Sequence, residues 1–390
     1  MSASVHDAHP TTVPEIQLML RQFADAFTEL RLYRAIALGA AADDDVARLL
    51  LAARPGQARP ILLLAALHDL VLARPDLPAA RWYPSVTGAP VPDGDPWPDV
   101  RAAALAHADH LRRVIASRGT QTNEANRAVH IGALVARACA DVPERPVVLL
   151  EMGASAGLLL ELDRYRIEVG APGTPGAAVL GDPASAVVTR GELREGSVAG
   201  LALPRVVGRV GLDLAPVSPD DEAELRWLEA CLWPDQPDRL ERFRAAVALV
   251  RAHPPRLVRG DMVADLADVA RAALRSAEAD AAEASDGDAG AHLVVLSSWA
   301  LTYVRADRRG VVAQTLAALA ADGRPVSWLT AEPPGCVPGL PDVDASTWGE
   351  QAAAAETVLG ARLWRDGREL PPAVRGVSHP HGAWLHWRGR

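Results

Sequence analysis

After Pro146 the sequence changes its period, and that change limits what the chain can fold into more than any other feature. VVLLEM (147–152), AAVLGD (177–182), RLVRGD (256–261), HLVVLSS (292–298) and PVSWLT (325–330) are short apolar runs, with helical stretches such as DVARAALRSAEADAAEA and RRGVVAQTLAALAA between them. This alternation predicts a parallel sheet covered by helices on both faces. LGARLWRDG and GAWLHWRG, two alternating segments near the end, read as an antiparallel pair at a sheet edge.

Before Pro146 the period is helical. From Pro14 to about Ala140 apolar residues recur every three or four positions, which predicts an all-α lobe over 1–145 ahead of an α/β domain over 146–390. The stretch 188–250 is too long for an ordinary crossover and predicts a cap or inserted subdomain. Pro78 to Asp99 reads as a proline- and glycine-rich loop packed by Trp82, Tyr83 and Trp97, and SDGDAG (285–290) as a mobile surface loop.

Composition narrows the partners. The chain carries a net charge of −9 and no lysine, and its arginines are scattered among acids, so nucleic acid is not an expected partner. The first residues lack a basic start and an apolar core, and no segment offers about 18 uninterrupted apolar residues, so neither export nor a membrane is expected. Cys139, Cys231 and Cys336 are far apart with no CxxC spacing, which suits a reducing cytoplasm. The expected partner is a small-molecule substrate. The sequence leaves open whether a second subunit or a homo-oligomer completes the site.

The turn after VVLLEM is the first candidate site. Glu151, Gly153, Ser155 and Gly157 read E-x-G-x-S-x-G between a strand and a helical-looking run. Such glycines serve either the approach of a ligand or a tight strand-to-helix corner, and both readings stand at this point. The pattern resembles the first motif of class I S-adenosylmethionine-dependent methyltransferases, with Ser155 in place of the usual middle glycine. Five parallel strands closed by an antiparallel pair also match that family's sheet. The resemblance implies a Rossmann-like fold, S-adenosylmethionine as cofactor, and a ribose-binding acid at the next strand end, for which Asp182 is the candidate. G-x-S-x-G is also the spelling of a nucleophile elbow. A hydrolase would take Ser155 as nucleophile, Asp261 or Glu332 as acid and His379 or His381 as base.

SRGTQTNEANR (117–127) is the second candidate. Thr122 is placed to cap the following helix, with Gln121, Asn123, Glu124 and Arg127 forming a polar wall toward the glycine turn. RGTQTNEANR, LLEMGASAGLLLELDRY, VGRVGLDLAPV, WLEACLWPDQPDRLERF and RGDMVADL together resemble, in that order, an actinobacterial family catalogued as a domain of unknown function, family 2332. The resemblance spans most of the chain and implies no particular reaction.

Other groups complete the expectation. Asp213 and Arg242 in the 188–250 stretch are candidates for substrate binding, and Asp261 and Tyr303, beside strand ends, for a general base. His68 with Asp69 reads as a packing pair. His379 and His381 read as a hairpin turn, with no metal expected. The sequence thus points to an enzyme acting on a small molecule in a cleft between helical lobe and sheet, most nearly a methyltransferase. The alternative chemistry needs no cofactor: a cyclase or lyase in which Glu124 or Asp261 deprotonates a nucleophile and Arg127 or Arg242 holds an anionic leaving group. A non-catalytic protein-binding module is the remaining reading.

Overall fold

The computed structural model describes residues 10–170, 177–283 and 290–389, the side chains of 281–283 aside; the SDGDAG segment lies outside them except for Gly290. The chain divides into two compact units, one made of residues up to Asn123 with Asp221–Phe243, the other of Glu124–Asp220 with Arg244–Arg390. The helix Ala128–Cys139 therefore belongs with the sheet, and a later segment returns to join the helices.

The helical unit is built from amphipathic segments such as Val13–Ala26 and Arg31–Ala41 around Pro60–Ala73, which is apolar and buried on all sides, joined by Glu222–Ala230. Thr12 and Glu15 form a capping box at the first of these. Tyr33, Leu64, Tyr83 and Trp227 share one core. The helix Arg31–Ala41 has no cap of its own; Asp235 supplies one, accepting from the Leu32 and Tyr33 N–H groups at 2.7 and 3.1 Å. The Trp-Pro-Asp segment is thus structural. His68 is fully buried, with Nε2 2.7 Å from the Ser85 hydroxyl and Nδ1 3.1 Å from the Ala230 carbonyl, a packing histidine as its apolar neighbours suggested.

The second unit holds the sheet. Its strands, among the described residues, are β1 (Val147–Met152), β2 (Arg166–Val169), β3 (Ala178–Gly181), β4 (Val188–Glu195), β5 (Val206–Asp213), β6 (Arg256–Arg259), β7 (His292–Ser298), β8 (Val326–Glu332), β9 (Thr357–Arg365), β10 (Arg368–Glu369), β11 (Ala373–Ser378) and β12 (Trp384–Trp387). Across the sheet they run β3-β2-β4-β12-β11-β9-β8-β7-β1-β5-β6, with β10 against β9. β6, β5, β1, β7 and β8 are parallel. Val148, Leu150, Val295 and Trp328 pack with the helices Leu266–Glu283 and Ala306–Leu319 on one face. Side chains alternate along a strand, so Leu149 and Glu151 point to the other face, where the buried helix Ala128–Cys139 contacts β8 and β9.

Three expectations change. AAVLGD does form a strand, β3, but at the far edge of the sheet and antiparallel to β2. One of the two strands beside β1 is β5, which comes from the stretch read as an insertion. The first part of that stretch gives β4 and β5, and 221–243 belongs to the helical unit. β5 reads VVGRVGLD, and its glycines and arginine interrupt the apolar run that marks a buried strand. Gly211 is sterically required, because a Cβ there would lie 2.6 Å from the Ala154 Cβ. Finally, LGARLWRDG and GAWLHWRG do not pair with each other, since β11 lies between β9 and β12.

Candidate functional site

Strand order reverses at β1: the chain proceeds to β5 and β6 on one side, then to β7 and β8 on the other. In open parallel sheets the crevice at such a reversal, at the carboxyl ends of the strands, is where ligands collect. Several polar residues of these strands lie there. Glu151 lies near the end of β1, Asp213 at the end of β5, Asp261 just past β6, Ser297 and Ser298 at the end of β7, and Glu332 at the end of β8.

The turn after β1 is held by its neighbours. Gly153, Ser155 and Gly157 have φ of 76°, 49° and 72°. The Gly153 N–H donates to the Leu212 carbonyl at 2.8 Å, the Ser155 N–H to Asp213 Oδ2 at 2.8 Å, and the Ser155 carbonyl accepts from Val217 at 3.0 Å. A Cβ at Gly153 would meet Ala300 at 2.8 Å, and one at Gly157 would meet Pro255 at 2.9 Å. Both glycines are therefore required by the corner itself. Leu158–Arg164 continues as a 3₁₀ helix, so the turn does not open an α-helix whose dipole would favour an anion.

Ser155 keeps a left-handed backbone without being glycine, and so does Trp299, at φ 56°, in the turn after β7. Such residues cost of order 1–3 kcal/mol and gather at functional sites. Among the described residues only one other non-glycine shares the conformation, Asp366 in the β9–β10 hairpin. Two of the three thus flank the reversal point.

Two carboxyl groups are buried beside these turns. Burial drives Glu151 up to about 8, against the opposing pull of Arg127 and with some help from Asp213. Its Oε2 has no hydrogen-bond partner. Burial likewise raises Glu332 to about 7, although its Oε1 accepts from the Ala300 and Leu301 N–H groups at 3.1 and 3.2 Å and the Arg127 charge also lowers it. The Ser297 hydroxyl is near enough to favour the Glu332 carboxylate but lies outside hydrogen-bonding geometry. Arg127 itself is only 7% exposed and donates to the carbonyls of Pro380 and Ser298, each at 3.1 Å. The charge of one guanidinium therefore acts on both carboxyls. Next to it, Asn126 bonds the Arg190 and His381 carbonyls at 3.0 and 3.1 Å and accepts from the Arg190 N–H at 2.8 Å, fixing the loop that carries Arg127.

Several expected residues take other roles. Asp182 sits at the opposite edge of the sheet, where it accepts from the Ala184 N–H at 2.8 Å. The acid at the end of the strand adjoining β1 is Asp213, whose second oxygen accepts from Ala215 at 2.8 Å. Asp261 caps its own loop: Ala264 and Val263 N–H groups, then Arg308, hold its carboxyl below the usual range, the wrong direction for a base. Tyr303 is 81% exposed. Thr122 is exposed; the cap of the turn before Ala128–Cys139 is Glu124, whose Oε1 accepts from Asn126 at 3.0 Å. Gln121, Thr122 and Asn123 fall in the helical unit, as does Arg242. His379 and His381 occupy the β11–β12 turn, where the His381 N–H donates to His379 Nδ1 at 3.1 Å.

The sequence reading missed Asn126 and gave Glu332 only a hydrolase role. A signal for Glu332 did exist: it closes a seven-residue strand that is buried throughout, a place where an acid is costly.

The fold and the site define an α/β protein with a cluster of acids and hydroxyls at the carboxyl ends of five parallel strands. Residues 17–387 match the family model described as "Uncharacterized protein conserved in bacteria (DUF2332)", and the chain belongs to that family. No curated protein matches it.

Proposed function

We propose that this protein is an enzyme that modifies a small molecule at the carboxyl ends of β1, β5, β7 and β8, with S-adenosylmethionine as its cofactor. The observation that carries a ligand site is the strand reversal flanked by the left-handed Ser155 and Trp299. The residues around β5 suit the adenosyl part. A carboxylate offers about four acceptor positions, of which Asp213 uses two on backbone N–H groups, leaving room for a ribose diol. Leu214, next to it, is 62% exposed and offers an apolar surface for a base. When bound, the cofactor supplies an electrophilic methyl group. Arg127 provides positive potential for a carboxylate, and Glu332 and Glu151, both able to change protonation near neutral pH, can take the proton of an acceptor hydroxyl or amine. Separate thiols at Cys139, Cys231 and Cys336 are in keeping with a cytoplasmic setting.

Titration calorimetry with S-adenosylmethionine and with its demethylated product tests the cofactor. Heat with both is expected, weakened at least tenfold by Asp213→Ala. Absence of heat in folded protein removes the cofactor from the reading.

A second reading is favoured by Glu151 and Glu332 themselves. Two buried carboxyls near neutrality beside one guanidinium can run acid–base chemistry on a single substrate, such as cyclisation or elimination, by positioning alone. It gains if the cofactor does not bind and Glu332→Gln still abolishes turnover of a substrate.

A further inference from the structure

Half a sheet away from β1, where β4 pairs with β12, the surface holds a hollow of about 340 Å³, within the size range of small-molecule sites. Its aromatic walls are Trp348 and Trp384, and its polar lining includes Arg194, Glu195, Glu350 and Gln351. Gly349, on the rim, has φ 78° and ψ 157°, a backbone state open essentially to glycine alone, and nothing lies within 4 Å of where its Cβ would point. The rim is thus shaped by a residue that leaves space.

The charged groups are tied in place. The Arg194 guanidinium lies 4.4 Å from the Trp384 ring centroid, and that of Arg388 lies 4.4 Å from the Trp348 centroid. Glu195 meets His386 Nε2 at 2.8 Å and Arg388 at 3.3 Å, and Arg388 also donates to the Thr347 carbonyl at 2.6 Å. His386 packs against Trp348 with centroids 5.8 Å apart.

This lining selects a ligand class. Ala352 is the aliphatic side chain in the lining, so an acyl chain finds little to cover it. Glu195 and Glu350 are balanced by Arg194 and Arg388, so no net charge draws an anion, and a cation would compete with the arginines already on both indoles. A sugar ring has an apolar C–H face that packs on an indole and a rim of hydroxyls that both donate and accept. Carboxylates, an amide and a guanidinium satisfy that rim together. We infer that this hollow is a binding site for a neutral saccharide of one or two rings, separate from the site at the strand reversal.

Saturation-transfer NMR on the full chain tests this, with maltose as probe and choline and benzoate as the cationic and anionic comparisons. Maltose is expected to receive saturation. The effect should fall at least fivefold in Trp384→Ala and in Gln351→Ala; the second removes an exposed side chain and leaves the fold intact, as thermal unfolding would verify. The inference is overturned if maltose receives none, if choline or benzoate is preferred, or if transfer to maltose survives Gln351→Ala and, where it folds, Trp384→Ala.

Discussion

The two ends of the central strands bury similar polar groups and treat them differently. At the amino end, His292 opens β7 fully buried, with Nε2 2.8 Å from the Ser327 hydroxyl and Nδ1 3.7 Å from Cys139 Sγ. Arg365 donates there to the carbonyls of Val326 and Ala138 at 3.1 and 2.9 Å, and only its Nε is left over. At the carboxyl end, Glu151 Oε2, Glu332 Oε2, and the Ser297 and Ser298 hydroxyls have no hydrogen-bond partner among the described residues. Leaving such a group unsatisfied costs about 1–3 kcal/mol, so the amino end reads as fold and the carboxyl end as a site kept ready at a cost.

The largest effect expected from breaking this contrast is at Arg127. Arg127→Met leaves two carbonyls without their donor and two carboxyls without their cation, and should lower stability in urea unfolding by about 3 kcal/mol or more. A loss below about 1 kcal/mol would make Arg127 incidental.

Next comes pH. Glu151 titrates near 8 in the folded chain and near 4.5 when unfolded, so between these values the native state holds a proton that the unfolded state has lost. Its contribution to stability therefore falls as pH rises from about 4.5 to 8 and is constant above. Glu151→Gln should remove that part of the decline, up to about 4 kcal/mol by the pH-linkage relation, in unfolding curves at pH 5 and pH 9. His292 has the opposite dependence. Burial lowers it from 6.5 to about 3, so its stabilising contribution is lost as pH falls through that window.

Ser327→Ala, at the amino end, should cost about 1–2 kcal/mol and leave ligand binding unchanged; a binding defect there would dissolve the distinction between the ends. The smallest effect belongs to Ser155→Gly, which relieves a left-handed residue and should stabilise by about 1 kcal/mol. Retained turnover in that variant excludes Ser155 as a nucleophile.

Much of this architecture is written locally. β1, β7 and β8 are buried apolar runs, and their positions follow from composition alone. What lies beside what is not local: AAVLGD looks more like a buried strand than VVGRVGLD does, yet VVGRVGLD is the one that adjoins β1. Asp182 then stood in for Asp213. The glycine turn was legible as a turn, but Ala300 and Pro255, which make its glycines necessary, come from about 100 or more residues downstream. Asp261 and Tyr303 read as bases because they follow strands; the hydrogen bonds to one and the exposure of the other depend on residues that the strand pattern does not show.

The return of residues 221–243 to the helical unit has a consequence for how the chain is made. Trp227 and Ala230 belong to the core that Ile16 and Tyr33 begin, and Asp235 caps the helix that starts at Arg31. At roughly 5–20 residues per second, a ribosome needs on the order of 5–20 s after Asn123 to deliver that segment. Throughout that interval the first helices wait with part of their core unfilled, and synthesis that stalls near residue 200 would release a nascent chain presenting apolar surface to chaperones and proteases.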